Sequence, residues 1–282
     1  MGKPLITIVS TNYNDSIFKE LMLYAFCKLT FNSFRVIFVD NGSNQKNIVK
    51  LRNLEKKYDN LIVIYRKQSK AGSLGHGEAL DKMVDMVDTD YTVVMDSDCT
   101  FLMKHWDELL LRELDDKIKI IGSTSPKNRA GNRIGGGNFP LPFATLFETE
   151  TYKKLNISCI PGDIRKGEDT CWEWKTKFVK NGYLGKSFVT HNTRDFKDGP
   201  FGNLTGIEEY YTDSGELIAS HFGRGASNGL VKYLSTENNK IQSIFQTISP
   251  RLGGIFAKLQ GKREMKLWLE KCYLIVDRQA YN

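Results

Sequence analysis

The sequence predicts an α/β fold organised around a mostly parallel sheet. Within the first 95 residues, short apolar segments alternate three times with helix-like segments before a fourth apolar segment. Repeated strand–helix–strand units form parallel sheets with right-handed crossovers. Each apolar segment is followed by polar or glycine residues, and such sheets bind ligands at the carboxyl ends of their strands.

The elements of this repeat can be placed in order along the chain. The predicted strands span residues 5–9, 34–39, 61–65 and 91–95. They are rich in β-branched and aromatic residues, which suit a buried pleated surface. The predicted helices between them span residues 17–29, 48–58 and 78–87. The first two show apolar side chains at helical spacing.

The second half of the chain has a weaker pattern. A helix is predicted over residues 105–114 and a strand over residues 119–122. The glycine-containing segment 129–142 is expected to be a loop that closes over a substrate. A further helix is expected over residues 167–180, and most of residues 186–216 are expected to form polar loop.

Composition narrows the class of protein. The chain has 282 residues, of which 40% are hydrophobic and 26% charged, as in ordinary globular domains. It has no run of about 18 apolar residues, so no membrane-spanning helix is expected. Its five cysteines show no metal-ligand spacing, and its first residues lack a signal-peptide pattern. Reduced thiols and a cytoplasmic location are therefore expected.

The net charge of +7 is concentrated near the end of the chain, where nine basic and four acidic side chains follow residue 229. One stripe of a predicted helix in this segment contains Met265, Trp268, Leu269, Cys272, Ile275 and Val276. Such a stripe favours packing on the same domain or formation of a homo-oligomer. Because the helix is also basic, peripheral contact with the inner membrane face is the alternative.

Two acids directly follow the fourth predicted strand, where Asp96 and Asp98 are separated by Ser97. Two hard oxygen ligands at the end of a strand can hold Mn²⁺ or Mg²⁺ against the phosphates of a substrate. The alternative is an ordinary turn, because Asp and Ser are also turn formers.

A glycine-rich segment over residues 71–77 follows the third predicted strand. It can cradle a phosphate at the start of a helix. Its spacing matches neither the dinucleotide-binding turn nor the P-loop of nucleotide triphosphatases. A Rossmann-type dinucleotide cofactor is therefore not expected.

Five short motifs occur in a fixed order. They are Thr11-Asn12-Tyr13-Asn14, Val39-Asp40-Asn41-Gly42-Ser43, the segment from Gly75 to Ala79, Asp96-Ser97-Asp98, and Gly167-Glu168-Asp169. In this order and spacing they resemble the nucleotide-sugar-dependent glycosyltransferases of family 2, which have the GT-A fold. The resemblance covers roughly residues 4–225. The Gln-x-x-Arg-Trp signature of processive synthases is missing, which implies that a single sugar is added.

The resemblance implies a division of the chain into parts. Residues 1–229 would form the GT-A catalytic domain, with a nucleotide-sugar half over about 1–100 and an acceptor half over about 101–229. Residues 230–282 would form a basic helical C-terminal extension. Each of these boundaries is an expectation taken from the positions of the motifs.

The resemblance also implies a nucleotide-binding group and a metal site. The nucleotide-binding residues would be Thr11, Asn12, Tyr13, Asn14, Asp40, Asn41, Gly42, Gly75, Asp96 and Ser97. Asp40 would accept a hydrogen bond from the donor base. Asp98 would ligate Mn²⁺ or Mg²⁺ directly, Asp96 would lie near the ribose and the metal, and His221 would be a third protein ligand.

Asp169 would be the general base, with Glu168 beside it. A carboxylate on the acceptor side can take the proton of the attacking hydroxyl, and a base opposite the leaving group gives inversion at the anomeric carbon. Contacts to an acceptor or a phosphate are assigned to Trp172, Arg224, Lys70 and His76. For Trp172 core packing is the alternative.

The implied activity is the inverting, metal-dependent transfer of one sugar from a nucleoside diphosphate sugar, with UDP as the first choice of nucleotide. The acceptor would be a glycan, a lipid-linked glycan or a protein, in surface glycan or polysaccharide synthesis. A sugar nucleotidyltransferase is the nearest alternative, although such enzymes usually carry a Gly-rich loop with Arg and Lys after the first strand. The alternative from another class is a basic nucleic-acid-binding protein. No sequence signature of that class is present, so nucleic acid is not an expected partner.

Overall fold

The computed structural model describes residues 3–67, 72–125, 139–223 and 250–281. Within these ranges the largest element is a seven-stranded sheet. In spatial order its strands are β3 (Leu61–Tyr65), β2 (Phe34–Asp40), β1 (Ile6–Asn12), β4 (Tyr91–Met95), β7 (Ala144–Glu148), β6 (Ile118–Gly122) and β8 (Leu184–Ser187). The first four strands are parallel, β7 is antiparallel to both neighbours, and β6 and β8 are parallel. The predicted α/β fold with a mostly parallel sheet is confirmed.

Helices lie on both faces of this sheet. The described α-helices are α1 (Ser16–Leu29), α2 (Gln45–Lys57), α3 (Gly72–Met86), α4 (Trp106–Arg112), α5 (Thr149–Lys154), α6 (Glu173–Lys180) and α7 (Pro250–Tyr281). Successive strand residues point to opposite faces, so Ile8 and Val9 of β1 belong to different hydrophobic cores. The core that contains Ile8 includes α1 and α7, whereas the core that contains Val9 includes α3 and α6.

A second, antiparallel sheet takes two of its strands from residues 186–216, although most of this segment lies outside helices and strands, as expected. In spatial order it contains β5 (Cys99–Phe101), β11 (Leu217–His221), β10 (Glu208–Tyr211) and β9 (Val189–Asn192). β9 and β10 are short and polar, so they lack the apolar alternation from which a strand is predicted. Backbone pairing holds this sheet together, and His221 of β11 lies opposite Cys99 of β5 and Glu208 of β10. The register brings the end of β11 to the turn that follows β4.

The start of α3 differs from the prediction. This helix begins at Gly72 rather than at Glu78, so the glycine-rich segment is helix from Gly72 onward. Gly77 permits the close packing of that helical turn, because a Cβ atom there would lie 2.4 Å from the carbonyl oxygen of Cys159. Gly77 therefore serves the approach of a neighbouring backbone, a requirement that sequence spacing does not distinguish from phosphate binding.

The start of α6 also differs from the prediction. This helix begins at Glu173 rather than at Gly167. A 3₁₀ turn over Ile164–Lys166 and a left-handed residue, Cys171 with φ 63°, come before it. The expected closing loop over residues 129–142 lies largely outside the described residues.

The apolar stripe of α7 packs against its own domain. Trp268 is fully buried, with its ring centre 5.8 Å from those of Phe18 and Phe222. Its indole Nε1 donates to Oγ of Ser220 at 3.0 Å. The expected boundary between residues 229 and 230 lies outside the described ranges and stays a prediction. Among the helices that the structure describes, none has both the length and the hydropathy needed to cross a bilayer.

Candidate active site

Asp96 and Asp98 lie in the turn between β4 and β5, at the carboxyl edge of the large sheet. The backbone N–H of Asp96 donates to the carbonyl of Phe143 at 2.9 Å. The backbone N–H of Phe222 donates to the carbonyl of Asp98, also at 2.9 Å. The turn is therefore bonded to the segment before β7 and to the residue that follows His221.

The side chain of His221 faces both acids. Its Nε2 lies 3.1 Å from Oδ1 of Asp98 and 3.6 Å from Oδ2 of Asp96. One potential ligand atom from each of the three residues lies within 4.8 Å of the others. The imidazole stacks on the ring of Phe143, with the ring centres 5.1 Å apart. Its other nitrogen, Nδ1, lies 3.5 Å from Oε2 of Glu208, so carboxylates lie near both ring nitrogens.

The site concentrates negative charge. Burial raises the pKa of Asp96, and the imidazoles of His76 and His221 oppose this shift. Burial acts in the opposite direction on His221, but the carboxylates of Asp98 and Glu208 outweigh it and raise the pKa of His221 well above its ordinary value. Buried acids at this density need a positive partner.

The donor set formed by Asp96, Asp98 and His221 fits a divalent cation. Carboxylate oxygens suit Mg²⁺ and Mn²⁺, whereas an imidazole suits transition metals, so the combination fits Mn²⁺ better than Mg²⁺. The clustering of the three ligand atoms is consistent with this assignment, because a cation between two close carboxylates would offset their repulsion.

The loops after β1 and β2 form one hydrogen-bonded unit. Nδ2 of Asn12 donates to Oδ1 of Asp40 at 2.7 Å and to Oγ of Ser43 at 3.0 Å. The backbone N–H of Ser43 donates to Oδ2 of Asp40 at 3.0 Å, and that of Asn14 donates to Oγ of Ser43 at 2.8 Å. Gly42 has φ 81°, a left-handed conformation that glycine adopts most readily. The carboxylate of Asp40 thus organises both loops, and its contact with a donor base stays a prediction.

The remaining predicted nucleotide-binding residues differ in their surroundings. Thr11 is buried at the end of β1, while the Tyr13 side chain is 46% exposed. Burial raises the pKa of Asp15, just before α1, to about 6, and Ser97 is among the groups that oppose this shift. The two loops and the turn after β4 therefore meet at one edge of the sheet.

Arg66 is a residue at this edge that sequence reasoning missed. Its Nε donates to Oδ1 of Asn41 at 2.5 Å, and its Nη2 donates to the carbonyl of Gly75 at 2.5 Å. It therefore links the ends of β2 and β3 to the first turns of α3 and adds a positive charge there. Its position one residue after a predicted strand is the signal that could have identified it.

The structure describes two of the four residues assigned to acceptor or phosphate contacts. His76 lies on α3, with its Nε2 3.8 Å from Oδ1 of Asp96. Trp172 is half-buried, and its backbone N–H donates to the carbonyl of Asp169 at 3.0 Å. Lys70 and Arg224 lie outside the described residues.

Glu168 and Asp169 lie before α6 and have different surroundings. Oε2 of Glu168 accepts the N–H of Asp163 at 2.8 Å, so this carboxylate is turned into the neighbouring backbone. Asp169 is exposed, and its Oδ1 accepts the N–H of Thr170 at 2.8 Å. The hydroxyl of Thr170 donates to the carbonyl of Ser73, in the first turn of α3, at 3.3 Å. Of the two acids, Asp169 is the more exposed, and it lies beside the start of α3.

Three further charged residues near the site have no pattern in the sequence that singles them out. Lys19 is buried in α1, and Asp15 is buried just before this helix. Glu208 lies in the polar strand β10. A lysine within an otherwise amphipathic helix is usually a surface residue, and Glu208 becomes recognisable only once strand register places it opposite His221.

The sequence and the fold of this chain are similar to those of known proteins. The model for glycosyl transferase family 2 matches residues 7–170, which is more than half of the chain. The comparison with curated proteins gives no match. Among solved structures, the mannosyltransferase PcManGT from Pyrobaculum calidifontis, in complex with GDP-Man and Mn²⁺, is 15% identical. Its TM-score is 0.52, over 66% of this chain and 55% of that chain.

Two structures of S. aureus TarS 1–349 are also similar. The complex with UDP is 16% identical with a TM-score of 0.47, over 65% of this chain and 57% of that chain. The complex with UDP-GlcNAc is 13% identical with a TM-score of 0.48, over 98% of this chain and 89% of that chain. This chain thus spans little more than half the length of PcManGT and of the UDP complex. At these identities the similarity concerns the fold. From the family match, the chain belongs to glycosyl transferase family 2, with the GT-A fold that its motifs predict.

Proposed function

We propose that this protein transfers one sugar from a nucleoside diphosphate sugar to a hydroxyl group, with a divalent cation at Asp96, Asp98 and His221. The observation that carries the proposal is the convergence of these three side chains at the end of β4. The carboxyl ends of parallel strands are where such sheets bind ligands. Membership of glycosyl transferase family 2 supports the same reaction.

The donor would bind across the loops after β1 and β2. Tyr13 offers an exposed aromatic ring for a base or a ribose, and Asp40 holds the two loops in one arrangement. Arg66 supplies a guanidinium group, which suits a phosphate oxygen. UDP is proposed first, and GDP is the alternative because PcManGT is in complex with GDP-Man and Mn²⁺.

The leaving group would be a nucleoside diphosphate, on which negative charge grows as the anomeric bond breaks. A cation bound by the three ligands would stabilise that charge. His76, whose Nε2 lies 3.8 Å from Oδ1 of Asp96, would donate a hydrogen bond to a phosphate oxygen. The buried positions of Asp98 and His221 reduce competition from water.

Asp169 is proposed as the general base. Its carboxylate is exposed and lies next to Thr170, which contacts the start of α3. A base there would take the proton of the acceptor hydroxyl as the new bond forms, and attack opposite the diphosphate inverts the anomeric centre. Proton NMR of the product tests this, because a product that keeps the donor's anomeric configuration would contradict the proposal.

A thermal-shift screen of UDP, GDP and TDP, each with and without Mn²⁺, tests the donor site. A ligand at a concentration of about 100 times its Kd stabilises the folded state by about 2.7 kcal/mol. For a domain of this size that corresponds to a rise in Tm of roughly 5–10 °C. We expect this rise with one nucleotide, only in the presence of Mn²⁺, and not in Asp98→Asn. Equal midpoints under all conditions would contradict the proposal.

A sugar nucleotidyltransferase is the second candidate enzyme. It would use a nucleoside triphosphate and a sugar phosphate, and it would release pyrophosphate. Including UTP and GTP in the screen separates the two, because a transferase of the proposed kind is stabilised most by the diphosphate or its sugar. The family match favours the glycosyltransferase. The acceptor is proposed to be a glycan, a lipid-linked glycan or a protein.

One side of α7 combines exposed apolar and basic residues. Ile255 and Leu259 are 54% and 58% exposed, and Lys258, Lys262 and Lys266 lie on the same side of the helix. This composition is complementary to an anionic lipid surface, so peripheral membrane contact is proposed for it. Such contact would bring the enzyme to a lipid-linked acceptor.

Co-sedimentation with vesicles tests this surface. We expect the full chain to sediment with vesicles that contain an anionic phospholipid, and to remain in solution with purely zwitterionic vesicles. The double variant Ile255→Glu/Leu259→Glu should lose sedimentation without losing the metal-dependent thermal shift. A wild-type chain that stays in solution with both vesicles, yet elutes as a dimer that the double variant lacks, would assign the face to a second copy instead.

A further inference from the structure

The side chain of Trp268 joins α7 to the segment that carries His221. Its indole Nε1 donates to Oγ of Ser220 at 3.0 Å, and its ring centre lies 5.8 Å from that of Phe222. Ser220 and Phe222 are the residues directly before and after His221. One fully buried side chain of α7 therefore contacts both neighbours of a proposed metal ligand.

The two contacted residues are themselves hydrogen-bonded to the surroundings of the site. Oγ of Ser220 donates to the carbonyl of Glu208 at 3.1 Å, and Glu208 lies opposite His221 in the second sheet. The backbone N–H of Phe222 donates to the carbonyl of Asp98 at 2.9 Å. Each contact of the indole is therefore one hydrogen bond away from a proposed ligand or from the acid beside the imidazole.

α7 also holds the loop that leads into β10. Oε2 of Glu264 accepts the backbone N–H of Thr205 at 2.7 Å, and its Oε1 accepts the hydroxyl of the same threonine at 3.1 Å. Nζ of Lys271 donates to the carbonyl of Pro200 at 2.6 Å. Because β10 begins at Glu208, α7 supports the strand of this acid as well as the strand of the histidine.

We propose that Trp268 is a positioning residue for the metal ligand His221. It holds Ser220 and Phe222 in place, and it thereby keeps the imidazole facing the two acids. Ligand side chains must be held to within about 0.5 Å of their working geometry, and neighbouring packing and hydrogen bonds supply that precision. The inference rests on the proposed function, because it concerns the same ligands.

The proposal makes α7 a working part of the site rather than an addition to it. The family model matches residues 7–170, and α7 (Pro250–Tyr281) lies beyond that range. The geometry of the metal ligands in this chain would then depend on a helix outside the matched residues.

Calorimetric titration of the full chain with Mn²⁺ in the presence of UDP tests the proposal. Trp268→Phe removes the N–H donor but keeps an aromatic ring. We expect it to bind Mn²⁺ about tenfold more weakly than the wild type, the lower end of the range for residues that orient a metal ligand. Ser220→Ala removes the acceptor and should have a similar effect. The double variant should lose less affinity than the product of the two single factors, because both changes break the same hydrogen bond.

Thermal unfolding separates positioning from simple packing. Val276→Ala is the matched control, because it removes fully buried apolar atoms roughly two turns further along α7. Without metal, Trp268→Phe and Val276→Ala should both melt below the wild type. With UDP and a fixed concentration of Mn²⁺, Val276→Ala should show the rise in Tm of the wild type, whereas Trp268→Phe should show a smaller one. If Trp268→Phe does not fold, Ser220→Ala, which keeps the whole indole, provides the same measurements.

The possible results have distinct meanings. Unchanged Mn²⁺ affinity in the folded variants of Trp268 and Ser220 would overturn the inference and leave the proposed function intact. An equal loss of affinity in Val276→Ala would also overturn it, because metal binding would then follow the stability of the helix rather than this contact. A wild-type chain that binds no Mn²⁺, even with UDP, GDP or TDP, would instead defeat the proposed metal-dependent reaction.

Discussion

The carboxylate of Glu208 contacts the nitrogen of His221 that faces away from Asp96 and Asp98. Its Oε2 lies 3.5 Å from Nδ1 of the imidazole, and the hydroxyl of Tyr210 donates to the same oxygen at 2.9 Å. The register of β10 and β11 places Glu208 directly opposite His221. A carboxylate in this position favours the tautomer with its proton on Nδ1, which leaves Nε2 to bind a metal.

We expect Glu208→Gln to weaken Mn²⁺ binding about 10- to 100-fold, because residues that orient a metal-binding histidine typically contribute this much. Calorimetric titration in the presence of the preferred nucleotide measures the change. Glu216→Gln, in the exposed turn before β11, is the matched control and should bind like the wild type. Equal affinities for both variants would mean that Glu208 does not orient the imidazole.

Asp98→Asn should lower the rate of sugar transfer by about 100-fold or more, because the charge on the departing diphosphate would lose its stabilisation. The same variant should fold, since it removes one of two close carboxylates that repel each other. Transfer activity and the Mn²⁺-dependent thermal shift check the two expectations. Asp59→Asn, at an exposed acid after α2, is the control. Full activity of Asp98→Asn would mean that Asp98 is not part of the active site.

Asp169→Asn should lower kcat by roughly 100- to 10,000-fold, the usual contribution of a general base. Donor binding should be unaffected if Asp169 acts on the acceptor, as proposed, so the nucleotide-dependent thermal shift should equal that of the wild type. Glu168→Gln tests the neighbouring acid. Its Oε2 accepts a backbone N–H, so this change should affect folding more than the chemical step. A larger loss of kcat in Glu168→Gln would reverse the assignment.

The first half of the fold could be predicted because short, contiguous segments of the sequence determine each of its strands and helices. Each strand of the β-α-β repeat is a short apolar run with a polar end, so Asp40 and Asp96 could be placed at strand ends from the sequence. Parallel strands then bring these ends to one edge, whichever helices connect them. The Asp96-Ser97-Asp98 turn follows β4 as expected.

The rest of the site depends on pairing between distant segments. Glu208 and His221 approach Asp98 through the register of short polar strands, and no periodicity marks such strands. His221 was predicted through the family resemblance rather than from its pattern. Arg66 meets Asn41 only because two strand ends and α3 converge. The burial of Lys19 could not be anticipated, because a lysine is usually found at the surface.

Trp268→Ala should destabilise the protein by about 3–5 kcal/mol, because it removes a fully buried aromatic ring between α7 and the core. Urea denaturation measures the change in the free energy of unfolding. Leu274→Ala on the same helix is the control. Its side chain is 57% exposed, so a change within about 0.5 kcal/mol is expected. Similar small effects for both variants would mean that α7 is not docked on the domain in solution.

Asp277 gives the contact between α1 and α7 a predictable dependence on pH. Its Oδ1 accepts hydrogen bonds from Nζ of Lys28 at 2.6 Å and from the hydroxyl of Tyr24 at 2.5 Å. These bonds lower the pKa of Asp277 below its ordinary value of 3.8. An acid whose pKa is lower in the folded state stabilises the protein above its unfolded pKa, and this contribution is lost as the pH falls through the folded pKa.

Asp277→Asn should therefore lower Tm near neutral pH, and its difference from the wild type should shrink as the pH falls below 3.8. Comparing the variant with the wild type at each pH cancels the titration of other acids that the two proteins share. A deficit in Asp277→Asn that stays constant down to the most acidic folded condition would mean that the contact depends on side-chain shape rather than on charge. In that case the docking of α7 would rest on its apolar stripe alone.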